Sequence, residues 1–496
     1  MRITDAFSLN HSLPYSFVGI QSIYLATNFN PIYWNTACLI VNSGSLEDNS
    51  EEEVVDIYAP EAQDLSEGVT FEDLPDRSGK IRRTASTDYG KIAKAIGDIQ
   101  SAGIKVSLAN INKSRFGFAP DVENNRILFG LKGMLNVGDE LVDTIIANRP
   151  YTSPKDFLNR VKPNKQAMIS LIKGGAFDDM DDRKFVMAWY IWETCDKKSR
   201  ITLQNMSGLI KYDLIPDIEE YTLAKRVFEF NRYLKAITKA DKASYKDYYT
   251  LDSRALDFLN EINCDELITS DNLAWFVNIK SWDKVYQKYM DIIRNWIVNN
   301  KEEILVQLNQ AIFLEDWKKY ASGSISAWEM EVLCFYYHEH ELANINTGKY
   351  GLMNFFNLPE EPIIDCVYPS RSGKEIKLFK LSKICGTCIA KNKTKSTVTL
   401  LTPNGVVDVK FRKEYFSLFD KQISEKQSDG TKKVIEKSWF NRGNMIIVQG
   451  MRSGDTFIPK KYGSSGGHQL YKITDIIDDD LVLQTQRYQG GIVEDE

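Results

Sequence analysis

Apolar residues in this 496-residue chain follow two periods, and the change between them falls near residue 375. Between residues 180 and 345 they recur every three or four positions, as in KFVMAWYIWETC (184–195) and WDKVYQKYMDIIRNWIVNNKEEILVQL (282–308). That is the spacing of amphipathic helices. No proline lies between Pro216 and Pro359, so nothing forces a break in this helical region. Residues 88–178 read as a compact set of short helices punctuated by Gly103, Gly130, Gly133, Gly138 and Gly174, and residues 11–42 as two helices broken at Asn30-Pro31. Past residue 375 the pattern alternates: KICGTCIAK, STVTLLT, VVDVKFR, NMIIVQGM and DTFIPKK each predict a short strand. Pro403-Asn404-Gly405 sits between the second and third as a hairpin turn. Five strands, with the helical RKEYFSLFDK between the third and fourth, match the element order of an OB-fold barrel. The expected fold is mainly α with a C-terminal β-barrel.

Composition changes this picture little. The chain is 43% hydrophobic and 26% charged, which with its length suits about three globular domains. No run of about 18 apolar residues predicts a membrane span, and the first 20 residues lack the basic start and apolar block of a signal peptide. Seven scattered cysteines argue for a reducing cytoplasm and against a disulfide framework.

Charge changes it more. The net −6 argues, taken whole, against a nucleic-acid partner. Leu46 to Asp76, however, holds twelve Asp or Glu and no Lys or Arg, and reads as a solvated linker or insertion spanning 43–87. Arg371 to Lys461 holds twenty Lys or Arg against eight Asp or Glu, a local +12. Such a segment is either a phosphate-binding surface or an ordinary solvated basic face. The other divisions expected are 88–179, the helical region 180–345, a linker at 346–374, the barrel at 375–462 and a tail at 463–496.

The most informative local motif is Phe129 to Asp139, FGLKGMLNVGD, followed by the amphipathic ELVDTIIANR. It predicts a helix, a tight turn on Asn136-Val137-Gly138, and a second helix. In a helix-hairpin-helix such a turn presents backbone N–H groups and the helix dipole to a DNA phosphate, with Lys132 and Gly133 beside it. Asn136 stands where glycine is usual, and Asn best tolerates the left-handed conformation in its place. The alternative is a packing corner without a ligand. A second, weaker hairpin follows in PYTSPKDFLNRVKPNKQAMISLIKGGAFD, opened by Ser153-Pro154 and closed by Gly174-Gly175.

Chemistry is harder to find. Two-metal catalysis needs carboxylates that hold two Mg²⁺ ions about 3.5–4 Å apart. The clusters Asp178-Asp179-x-Asp181-Asp182 and Asp478-Asp479-Asp480 do not alternate along an apolar strand, and read as loop charge. Cys385-x-x-Cys388 lacks a second ligand pair for zinc and reads as plain strand. His338 and His340, two apart on an expected helix, point to different faces. No metal site, bound cofactor or catalytic residue is expected in this chain. On the barrel, Lys391, Lys393 and Lys395 are expected in the loop between strands one and two, with Lys410 and Arg412 after strand three. An OB-fold binds single strands across strands two and three and the adjoining loops. Phe411, Tyr415 and Phe416 are stacking residues or barrel core.

Five phrases, in order, resemble bacterial replicative DNA polymerase III alpha subunits, the C-family polymerases. Phe7-x-x-x-His11-Ser12-x-x-Tyr15, with Gln21, Leu25 and Pro31, resembles the end of that family's fingers. AIGDIQSAGIKVSLANINKSRFGF, with Ala109 to Ser114, resembles its Gly-Ile-x-Val and D-I-N-x-S segment. The hairpin at 129–139 and the closing Leu171-Ile172-x-Gly174-x-Ala176-Phe177-Asp178 are similar to its tandem hairpin domain. Trp328-Glu329-Met330-Glu331-Val332-Leu333-x-Phe335-Tyr336 and His340 resemble the phrase that precedes its OB domain. Ser8-Leu9-Asn10 departs from the usual Asn-Lys-Ser, and the acidic insertion and the long helical region are not typical.

The resemblance implies a role in DNA replication, with duplex gripped by the hairpins and template single strand by the barrel. It makes 1–42 the end of the fingers and 88–179 the tandem helix-hairpin-helix domain. The palm with its carboxylates would lie upstream of Phe7, so the chain is expected to be a separately encoded C-terminal half that needs a catalytic partner chain holding Mg²⁺, or a remnant that binds DNA alone. Gln310-Ala311-Ile312-Phe313-Leu314 falls roughly where the family's internal sliding-clamp motif lies; the alternative is a buried helix turn, with Gln310, Phe313 and Leu314 packed. The setting implied is the cytoplasm of a bacterium or a phage-infected host.

Overall fold

The computed structural model describes residues 16–25, 28–43, 88–240, 247–271, 274–370, 375–426, 432–462 and 470–488. The acidic stretch 46–76 and the positions His11, Ser12 and Tyr15 lie outside the described residues. The chain forms two compact units: residues 1–187 with 323–496, and residues 188–322.

In the first unit, residues 16–25 are helical and the next helix is Pro31–Ser43. The break at Asn30-Pro31 is where it was expected, and the Asn30 side chain accepts the Ile32 N–H at 3.0 Å. Ile32, Thr36, Leu39 and Ser43 bury one stripe of this helix. Tyr89–Ser101, capped by Asp88, buries Ile92, Ala93, Ile96 and Ile99. A small sheet follows: Lys105–Val106 and Ala119–Asp121 both pair with Arg126–Leu128. These strands are two or three residues long, too short to show an alternation in sequence.

The barrel strands are Ser382–Asn392, Thr397–Thr402, Gly405–Lys410, Met445–Ser453 and Thr456–Pro459. They pair in the order one-two-three-five-four, and four returns to one. Strands three and five run parallel and every other pairing is antiparallel, so the sheet closes and these strands have no free edge between them. Alternate residues Val398, Leu400, Val407, Val409, Ile446 and Val448 fill the interior. The helix Lys413–Asp420 adds Phe416, which packs on Phe440, itself against Phe411. The fold class is therefore mainly α with a C-terminal OB-like barrel. Strand four also carries an outward extension, Leu470–Ile477 and Asp480–Gln484. Two further hairpins, Ile364–Pro369 with Glu375–Phe379 and Ile423–Lys426 with Lys432–Glu436, stand off the barrel.

The second unit is helical, as its period predicted, with Glu219–Ala240, Ile279–Asn299 and Lys301–Tyr320 as its long members. It also contains a three-stranded sheet, Tyr248–Leu251, Trp275–Asn278 and Ile268–Ser270, which the helical reading missed. Aromatic and β-branched residues in YYTL and WFVN favour strand there over helix. Trp282 lies at the centre of this core, its indole N–H donating to Asn231 Oδ1 at 3.1 Å.

Candidate nucleic-acid interface

The first hairpin turn forms as the residue types require. Asn136 has φ +63°, the left-handed conformation, and its Nδ2 donates to Ser170 Oγ at 3.0 Å. Val137 is buried beneath the turn. Gly138 caps the helix Asp139–Ala147 in extended backbone that any residue adopts, and a Cβ built on it would meet nothing within 4 Å. Its value thus lies in the open space it leaves above the helix N-terminus. The element before the turn differs from expectation: it is a single 3₁₀ turn, Leu131–Gly133, because the chain is still strand-paired up to Leu128.

Electrostatics separate the two hairpins. Lys132 forms an ion pair with Asp139, and Asp139 and Glu140 occupy the first turn of the helix it faces. These carboxylates answer the positive end of the helix dipole from within the protein. The second hairpin consists of Pro154–Val161 and Lys165–Lys173 joined by Lys162-Pro163-Asn164. Lys162 has φ +51°, and Asn164 caps the following helix by accepting the Ala167 N–H at 2.9 Å. The Lys162 side chain is exposed and has no carboxylate partner among the described residues. Lys155 and Lys165 flank it in sequence. Lys162 escaped the sequence reading, which marked only the ends of this hairpin; a Lys-Pro-Asn run between two short helices was the available signal.

The family phrases prove to be scaffold. Asn110 Oδ1 accepts the Asn112 and Lys113 N–H groups, and Ser114 Oγ accepts the Asn110 N–H. Arg149, just after the helix Asp139–Ala147, donates to the Ile111 and Ser114 carbonyls at 2.7 and 2.6 Å. Glu329 of the tryptophan-glutamate phrase is wholly buried on the helix Ile325–Leu333. It accepts from Arg183 at 3.0 Å and from the Tyr337 and His338 N–H groups, and its Oε1 lies 2.6 Å from His338 Nδ1. His338 and His340 lie beyond that helix rather than on one.

The carboxylate clusters have partners of their own. Asp178 binds Arg183 Nε at 3.1 Å, and Asp179 takes Lys113 and Asn110 at 2.7 Å each. The Lys113 hydrogen bond holds the Asp179 carboxyl below its usual range. Asp480 binds Lys349 at 2.6 Å. Cys385 and Cys388 are buried in strand one, in two different core clusters, and burial pushes both thiols up to about 12.

On the barrel, the five basic candidates divide. Lys391 ends strand one rather than standing in the loop, and its ammonium is held by Asp420, Ser438 and Asn441. Burial alone would raise the Asp420 carboxyl, but the hydrogen bonds from Lys391 and Ser438 bring it below its ordinary value. Lys393 lies 3.7 Å from the same carboxylate. Lys395, Lys410 and Arg412 are exposed. They meet at one end of the barrel, where Phe411 N–H bonds the Ser396 carbonyl at 2.9 Å. Phe411 and Phe416 are core, whereas Tyr415 is exposed.

The usual single-strand face is closed. The helix Tyr89–Ser101 lies on the outside of strands one to three, where a Cβ on Gly90 would sit 3.0 Å from Ala390 and one on Gly97 would collide with Val406. Lys94 pairs with Asp408 at 2.9 Å, and Ala93 joins a buried cluster with Ile389, Leu401, Met330 and Tyr336. Across strands two and three there is protein, not solvent.

Gln21 is exposed on the first helix, in a stretch where Phe17, Ile20, Ile23 and Tyr24 are also largely exposed. Gln310, Phe313 and Leu314 lie within the 20-residue helix Lys301–Tyr320. Phe313 packs between Trp192 and Trp317 at 5.9 Å from each, while Gln310 and Leu314 face outward.

Paired hairpins stand ahead of an OB-like barrel, and the helix-hairpin-helix motif model matches residues 103–185. The chain is related to the C-family DNA polymerases, the family of DNA polymerase III alpha subunits. It is 38% identical over 491 residues to the probable DNA polymerase YorL of Bacillus subtilis strain 168, covering 97% of this chain and 35% of that protein. The DNA-directed DNA polymerase of Bacillus phage SPbeta matches to the same extent. The DNA polymerase III alpha subunit of Thermus aquaticus is 38% identical over 108 residues, 20% of this chain and 9% of its own. The chain thus spans about a third of the two relatives it matches almost throughout.

Proposed function

We propose that this chain is the DNA-gripping, C-terminal part of a replicative polymerase, and that it completes a separate chain bearing the palm carboxylates and their Mg²⁺. The observation that carries this reading is its kinship, over 97% of its length, to 35% of a DNA polymerase. The hairpins hold the duplex backbone through helix N-termini and lysines, and the barrel holds template single strand. Phosphate contact falls mainly on Lys162 and its neighbours, since Lys132 is neutralised by Asp139. The exposed apolar residues Phe17, Ile20, Ile23, Tyr33 and Trp34 support docking of the N-terminal helices, with the fingers motif, against the palm-bearing chain. A sliding clamp would be met through the outward Gln310 and Leu314.

A stand-alone DNA-binding protein derived from such a polymerase is the second reading; the internal pairing of Asp178, Asp179 and Asp480 is compatible with both. Primer extension separates the two. The first reading expects no extension by either purified chain and extension by their mixture; a mixture that neither associates nor extends leaves the second.

A further inference from the structure

We propose that single-stranded DNA runs along a groove on the flank of the barrel formed by the strand Lys432–Glu436 and the extension Leu470–Gln484, instead of crossing strands two and three. The inference rests on the reading that the barrel meets template single strand, and assigns the surface that does so. The first ground is exclusion. Strands two and three, the ordinary OB route, are roofed by the helix Tyr89–Ser101, with Gly97 against Val406 and Lys94 paired to Asp408.

The second ground is the groove itself, about 520 Å³, lined among others by Lys437, Asn441, Lys472 and Tyr488. It has room for a nucleotide at a time and is far too small for a duplex. Among the described residues, one carboxylate, Glu436, belongs to its wall, and the protein satisfies it completely. Trp439 Nε1 and Gln484 Nε2 donate to it at 2.7 Å, Arg487 Nε at 3.0 Å and the Tyr488 N–H at 3.1 Å. Lys437 and Lys472 have no carboxylate partner among the described residues, so the groove presents net positive charge. Asn441 turns its Oδ1 to Lys391 at 3.3 Å, which leaves its amide N–H groups for a phosphate or a base edge. The Tyr488 hydroxyl is anchored on Glu425, which fixes its ring at the groove wall as a surface on which a base can stack. Lys391 links this wall to Asp420 and so to the loop bearing Lys393 and Lys395, which continues the basic path.

The test is anisotropy of a fluorescein-labelled oligothymidylate titrated with the full chain at several salt concentrations. K437E/K472E should weaken binding about tenfold or more, and should lower the salt slope by about 1.4, the loss of two phosphate contacts on a single strand. K437Q/K472Q, if the reversal disturbs folding, should show the same lowered slope. A 5-iodouracil oligonucleotide should photocrosslink to Tyr488. If the wild type binds normally and the folded variants keep its affinity and slope, the groove is wrong and the barrel reading stands. If the wild type binds no single strand at all, the barrel reading falls and takes the groove with it.

Discussion

Arg183 and Glu329 meet at 3.0 Å with both side chains almost fully buried, joining the start of the helix Arg183–Thr194, after the second hairpin, to the helix that leads into the barrel. The Arg183 guanidinium also donates to the Lys173 carbonyl and to Asp178, so its planar fork is filled on every side. A buried carboxylate serving a cation and two backbone N–H groups is a fixed point of the structure. The tryptophan-glutamate phrase is therefore architectural.

Glu329→Gln should test that role. It removes one of the two carboxylates that hold the guanidinium and leaves Asp178, so the loss should fall below the about 3–5 kcal/mol of a fully unpaired buried charge. Urea unfolding should show a lower midpoint, and Glu331→Gln on the same helix should lower it too, because Glu331 pairs with the buried Lys173.

His340 sets an acid limit on stability. Its Nε2–H donates to the Leu401 carbonyl and its Nδ1 accepts the Leu342 N–H, both at 3.0 Å, which requires the neutral ring. Burial lowers its pKa to about 4, with the Leu401 carbonyl only partly opposing. The unfolded chain therefore takes up the proton first as the pH falls. This contribution is complete above pH 6.5 and is lost progressively between 6.5 and 4, by about 3 kcal/mol at most. His340→Gln, which keeps a donor for Leu401, should flatten that limb in urea midpoints measured from pH 7.5 to 4.5.

The two hairpins should respond unequally to charge removal. Lys162→Asn keeps a residue tolerant of φ +51° and removes the exposed ammonium. It should weaken duplex binding by about three- to tenfold and lower the salt slope by about 0.9. Lys132→Ala should leave that slope unchanged, since Asp139 already neutralises the charge. Gly138→Val should fold normally, for its Cβ meets nothing, yet obstruct any phosphate that approaches the turn. Unchanged duplex affinity in the folded Gly138 variant would make this turn a packing corner.

Gly97→Val should act on architecture instead. Its side chain would collide with Val406 and lift the helix Tyr89–Ser101 from strands one to three, at a cost of about 1–3 kcal/mol. Calorimetry should show a lowered transition. Limited proteolysis should open cleavage near Gly103.

Much of this was legible in the sequence, because the informative features are local. The five alternating strands, the Asn404-Gly405 turn and the left-handed Asn136 follow from period and residue type over a few positions. What stayed hidden depends on partners far apart in the chain. No spacing announces that Lys391 is spent on Asp420, that Lys132 is spent on Asp139, or that the helix bearing Gly90 and Gly97 covers the barrel face on which single strands usually lie. The strands at 105–128 and the Tyr248–Leu251 sheet were too short to interrupt a helical pattern.

Joint grip of duplex by the hairpins and of single strand by the barrel is the proposed mode of DNA engagement. Its most direct test compares anisotropy titrations of the purified chain on a primer–template junction, on the matching blunt duplex and on the free template oligonucleotide, at one salt concentration. The junction should bind at least about tenfold tighter than either alone, since linked sites reinforce one another. Equal affinity for all three, or binding to none, would contradict it.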